Sequence, residues 1–106
     1  MSTEEFVKAF YEEKNNFLEE YLSENSKTEV GELIKKLKLD VNQIKIFEKI
    51  LNLSFTDIFY TILLGLDGSA SIGGIQELYE LKDEEGNLIS GEIEPYAYEY
   101  FHSSKN

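Results

Sequence analysis

Between Thr3 and Leu66 the apolar residues recur every three or four positions, and that period admits little besides helix. Phe6, Phe10, Phe17, Leu18, Tyr21 and Leu22 share one face of a first helix, predicted over residues 3–22. Glu12, Glu13, Lys14, Glu19 and Glu20 fall mainly off that face. Ser2 and Glu5 form a capping box at its start, where each side chain satisfies a free backbone N–H of the first turn. "SENSK" ends the pattern.

Ser26 and Glu29, with Thr28 as a rival cap, begin a second helix that ends near Lys38. Val30, Leu33, Ile34 and Leu37 keep the helical spacing along it. Asp40 and Gln43 make a third box ahead of Ile44, Phe47, Ile50 and Leu51. Asn52 and Ser54 interrupt, and Ser54 with Asp57 opens a fourth helix, "FTDIFYTILLGL". Its apolar residues cover most of the circumference, so it is predicted to be the buried, central helix, with Phe59, Ile62 and Leu63 in the core.

After Gly74 the period changes. "IQELYELKDEEGNLIS" reads as two short antiparallel strands around a turn at residues 83–87, with Gly86 able to take positive φ. The final stretch, "EIEPYAYEYFHSSKN", reads two ways. Pro95 near a helix start, with Glu92 and Glu94 at the positive end of the dipole, favours a short helix. The alternation of Tyr96, Tyr98 and Tyr100 favours a third strand. The expected fold is therefore α+β: about four helices, then a C-terminal β-hairpin and a short terminal helix or strand. With 106 residues this is one domain, 1–106. Residues 1–66 form its helical part, 67–74 a glycine-rich connection, and 75–106 the hairpin and C-terminal segment.

Four of the seven glycines fall between Gly65 and Gly74. Gly68 and Gly73 have the separation of a phosphate loop, but Gly74 and Ile75 stand where Lys and Ser/Thr are needed. The order is also wrong, since this loop follows a helix. Gly65 or Gly68 is better read as the end of the buried helix, and Gly73-Gly74 as the entry to the sheet. "DEEGNLISGEIE" places Asp83, Glu85, Asn87 and Glu94 at calcium-loop spacing, but Leu88 occupies the glycine position. The chain has no cysteine and a single histidine, His102, so a thiolate metal site, a two-histidine site and a histidine triad are all excluded within it. No metal site, no cofactor and no catalytic residue is expected.

Net charge is −11, unevenly spread. Residues 1–26 hold seven acids and two lysines, 27–49 four acids and six lysines, and 50–106 ten acids and two lysines. There is no arginine. Such a field attracts a basic partner and repels nucleic acid and anionic membranes. The N-terminus lacks the basic start and apolar run of a signal peptide, and the longest apolar block, residues 58–66, is about half a membrane span. A cytoplasmic protein is expected, and the richness in Ile, Asn, Lys, Glu, Phe and Tyr matches an AT-rich bacterial coding bias.

These features lead first to a non-enzymatic acidic protein that binds a basic protein, with an immunity-type or nucleic-acid-mimicking inhibitor as its specific forms. The acids nearest the flexible parts are Glu77, Glu80, Asp83, Glu84, Glu85, Glu92 and Glu94, with Tyr96, Tyr98 and Tyr100 beside them as interface anchors. The alternative is a degenerate winged helix-turn-helix regulator touching DNA through Lys35, Lys36, Lys38, Lys45 and Lys49. A small-molecule or metal-binding module comes third.

Overall fold

The computed structural model describes residues 1–103; residues 104–106, the tail of the expected C-terminal segment, lie outside the described residues. Four helices form: α1 (Thr3–Leu22), α2 (Glu29–Lys36), α3 (Val41–Leu66) and α4 (Ile93–His102). Two of the three capping boxes form as read, and at the third the rival cap takes over. Ser2 and Glu5 close a capping box on α1, Thr28 rather than Ser26 caps α2, and Asp40 and Gln43 close a box on α3.

The α+β expectation is overturned, because no strand forms among the described residues. The expected hairpin shrinks to two isolated bridges, Ile72 with Ile75 and Lys82 with Leu88. Two strands alone are marginal in water. Here only Leu81 and Ile89 reach the core, and they are joined by Ile89 N–H to Leu81 C=O at 2.7 Å. Beyond them Ser90 replaces the ladder: its hydroxyl accepts from Leu81 N–H and donates to Tyr79 C=O. Every residue from 71 to 80 is exposed, so a longer ladder would cover nothing. The turn itself survives, gathered by the Asp83 carboxylate, which accepts from the N–H groups of Glu85 and Asn87.

The third and fourth predicted helices are one helix of 26 residues. Asn52 and Ser54 are mildly unfavourable inside a helix, costing less than about 0.7 kcal/mol each, and the apolar contacts on both sides outweigh them. α3 is central in that α1 and α4 both pack on it. It is not buried as expected. Only Thr56, Leu63 and Gly65 are buried along it, and Ile62 lies on its outer side. The ambiguous C-terminal stretch is helix α4, with Pro95 in its first turn, where a missing N–H costs nothing.

The core sits at one end of the molecule. Val7, Leu63, Ile89, Ile93, Ala97 and Phe101 are buried together, with Phe10, Phe59, Leu66 and Leu81 packed around them. Burying each Leu or Ile of this set contributes about 1.5–3 kcal/mol. α1, the C-terminal half of α3, and α4 thus form a three-helix bundle, while α2 packs on α1 alone. The result is long, 47 × 28 × 27 Å, with a radius of gyration of 16.2 Å. A globule of this length has about 13 Å.

Candidate functional site

The acids picked from the sequence lie on the long connection between α3 and α4, residues 67–92, except Glu94, which is in the first turn of α4. Its start is a helix stop. Gly68, at φ 79°, follows the C-cap Asp67, Gly68 N–H donates to Gly65 C=O, and Ser69 N–H donates to Leu64 C=O. Gly65 is needed for a different reason: a Cβ there would come within 2.2 Å of the Ile72 side chain, which lies against the helix. Gly73 and Gly74, both at positive φ, turn the chain between the bridged Ile72 and Ile75 rather than opening a sheet. The glycine stretch therefore terminates a helix and makes a turn.

The connection is long but fastened. The Gln76 amide donates to Gly68 C=O at 2.9 Å. Ser90 holds Tyr79 and Leu81, as above. Asp83 takes the N-terminal ammonium of Met1 at 2.8 Å, and Thr3 donates its hydroxyl to Ile89 C=O. At the far end the Asp67 carboxylate accepts from the backbone N–H groups of Gly91, Ile93 and Glu94, capping α4 from 24 to 27 residues away.

The predicted site residues divide accordingly. Glu77, Glu80, Glu84, Glu85, Glu92 and Glu94 are exposed. Glu80 pairs with Lys82 at 2.6 Å, which holds its carboxyl below the usual range. Asp83 is withdrawn from the surface set. Its carboxyl is held well below the usual carboxylate range by the Met1 ammonium first, then by the Asn87 side chain and backbone N–H. Of the tyrosines, Tyr96 packs on the core and Tyr100 donates its hydroxyl to Glu4 while stacking on Tyr11. Tyr98 is 56 % exposed. The connection also carries apolar side chains that sequence reasoning passed over. Leu78 is 89 % exposed, flanked by Glu77 and Tyr79, with Ile75 and Leu88 also open to solvent. The backbone N–H groups of Glu77 and Leu78 have no hydrogen-bond partner among the described residues.

The lysines of the DNA-binding alternative do not form one free patch. All five are exposed, but Lys35 donates to the carbonyls of Ser26 and Glu24, fastening the turn before α2. No strand-built wing accompanies them among the described residues.

Lys14 is the residue the sequence reading misplaced. It is 5 % exposed, at i+4 from Phe10 and i−4 from Leu18, which is a core position; that spacing was the available signal. Its ammonium donates to Asn52 Oδ1 at 3.0 Å and sits 4.8 Å from the Tyr11 ring centroid and 5.8 Å from that of Phe101. Burial pushes its pKa down. An open cleft of about 430 Å³ adjoins it, also lined by Thr56, Asp57 and His102. His102 itself is exposed and stands edge-on to Tyr60 at 4.3 Å between centroids. Among the described residues no three His, Cys, Asp or Glu side chains gather closely enough to hold a metal ion.

No protein-family model matches the chain, and no curated protein or solved structure matches it. α3 is, among the described residues, the one helix long and apolar enough to cross a membrane, although it carries Lys45, Glu48, Lys49 and Asp57.

Proposed function

We propose that this protein is a non-enzymatic interaction module that receives a basic protein on the connection between α3 and α4. The observation that carries the reading is the composition of that surface. A fastened segment holds Leu78 in solvent beside Glu77, with Glu80, Glu84 and Glu85 exposed further along it and Glu92, Glu94 and Tyr98 beyond. An exposed apolar side chain on an acidic segment suits a basic partner, the first as an anchor and the acids for steering. The overall charge of −11 acts in the same direction at longer range. Fastening lowers the ordering cost of association, because the segment does not have to be immobilised when the partner arrives. An inhibitor or immunity-type protein acting in a bacterial cytoplasm is the specific form of this reading.

The test is kinetic. A basic partner captured from the source organism should associate more slowly as salt rises, with little change in its off-rate. Glu84→Lys with Glu85→Lys should slow association, and Leu78→Ala and Tyr98→Ala should speed dissociation. Unchanged rates in all of these variants, with binding abolished by Lys45→Glu and Lys49→Glu, would move the working surface to α3 and end the reading.

A further inference from the structure

Lys14 is a cation taken out of water without an anion. It is 5 % exposed, and a charge this deep is ordinarily paired or fully hydrogen-bonded. Its ammonium makes one hydrogen bond, to Asn52 Oδ1, and no ion pair among the described residues. An ammonium carries three N–H donors, so two are left. The rings of Tyr11 and Phe101, with centroids 4.8 and 5.8 Å away, answer the charge in part. Burial lowers its pKa, and no carboxylate raises it back. Asn52, Tyr11 and Phe101, the groups around the ammonium, all line one open cleft of about 430 Å³, and so does Lys14 itself. Small-molecule sites commonly measure about 300–1,000 Å³. α1, α3 and the last turn of α4 each contribute to this cleft.

We propose that the cleft binds a small monocarboxylate with an apolar body, its carboxylate taken by Lys14 Nζ and the Asn52 amide. The carboxylate supplies the counter-charge that the fold leaves out. Its hydrogen bonds to the two remaining ammonium donors are charge-assisted, about twice as strong as neutral ones. Asn52 Oδ1 is spent on Lys14, which leaves the amide N–H groups to donate beside it. Folding has already stripped Lys14 of water and fixed its position, so association does not carry those costs again. The body of the ligand meets Leu18, Leu53 and the two rings, which are the apolar part of the lining. Asp57 limits the ligand to one negative charge. It lines the same cleft and pairs with no cation among the described residues, so a second carboxylate meets a like charge there. An unpaired buried ammonium costs stability, and a bound carboxylate offsets that cost.

This inference does not rest on the basic-partner reading, and the two fail separately, because no residue of the cleft lies on the connection. The experiment is a titration of the full chain with sodium benzoate, followed by amide chemical shifts. Shifts are expected around Lys14, Asn52 and Phe101, with a dissociation constant of about 1 mM, ordinary for so small a ligand. Benzamide, of the same shape without the charge, should bind at least about tenfold more weakly. Lys14→Met should weaken benzoate at least about tenfold while far-UV circular dichroism stays helical. Asn52→Asp is the second variant, at an exposed position. It sets a carboxylate on the ammonium from within the chain and should displace benzoate in the same way. Phthalate, with two carboxylates, should bind more weakly than benzoate, and Asp57→Asn should narrow that difference. No shift at about 50 mM benzoate, fifty times the expected constant, would overturn the proposal. So would shifts confined to another part of the molecule, equal binding of benzamide, or phthalate binding more tightly than benzoate. Benzoate binding that survives both Lys14→Met and Asn52→Asp would overturn it as well.

Discussion

Replacing Asp67 tests the least local feature of the fold. The residue ends α3 and its carboxylate begins α4, accepting from Gly91, Ile93 and Glu94 N–H. Glu92, which holds the N-cap position by order in the chain, makes no side-chain cap bond. Losing a helix cap costs about 0.5–2 kcal/mol. The carboxylate's charge at the positive end of α4 adds about 0.3–1 kcal/mol. The Gly91 and Glu94 N–H groups are exposed and can turn to water, but Ile93 N–H is partly buried and loses its partner. Asp67→Ala should therefore cost about 2–3 kcal/mol, a large share of the 5–15 kcal/mol on which a domain of this size rests. Asp67→Asn keeps the oxygen facing Gly91 and Ile93 and loses the bond to Glu94 with the charge, so it should cost about half as much. Glu92→Ala should cost under about 0.5 kcal/mol. Urea unfolding followed by circular dichroism reads all three; with a slope near 1–1.5 kcal/mol/M, Asp67→Ala should lower the midpoint by about 2 M. If Asp67→Ala falls within about 0.5 kcal/mol of the parent, or if Glu92→Ala proves the costlier change, the capping argument is wrong.

Lys14→Met should leave stability unchanged or raise it by about 1 kcal/mol, since a buried ammonium with no carboxylate beside it is exchanged for an apolar chain of similar volume. Burial holds Lys14 below its ordinary 10.5, so its charging cost is full below the folded pKa and fades as pH rises toward 10.5. Lys14→Met should remove that rising part of the stability–pH curve; a loss of several kcal/mol would show that the ammonium is needed where it is. The Asp83–Met1 pair predicts two opposite slopes. Asp83 is depressed, so its stabilisation is present above its ordinary 3.8 and is lost as pH falls below that toward the folded pKa. The Met1 ammonium is raised above 8.0 by the hydrogen bond to Asp83, so its contribution is complete below 8.0 and is lost as pH climbs through the folded value. Asp83→Asn should flatten both limbs in urea titrations run across pH, and curves superimposable on the parent's would refute the pairing.

Sequence alone determined what is decided within a few residues. The starts of α1, α2 and α3 were legible because a capping box is a contact over three positions, and their faces because the helical period is local. The glutamates of the connection were legible as exposed for the same reason, being too dense to bury. Tertiary structure decided the rest. Whether Asn52 and Ser54 break a helix depended on whether contacts on both sides outweigh a weak local preference. Whether residues 75–90 became a hairpin depended on what lay beneath them, and only Leu81 and Ile89 found a core to touch. The helical fate of residues 93–102 was settled by a carboxylate at position 67, and the standing of Asp83 by an ammonium 82 residues away. The apolar residues of α3 predicted a buried helix, and the tertiary structure buries only part of it. The short α4 and the one-sided packing of α2 leave Ile46, Ile50 and Leu53 exposed. Spacing along a helix fixes which residues share a face, but only the lengths and positions of its neighbours fix whether that face is buried.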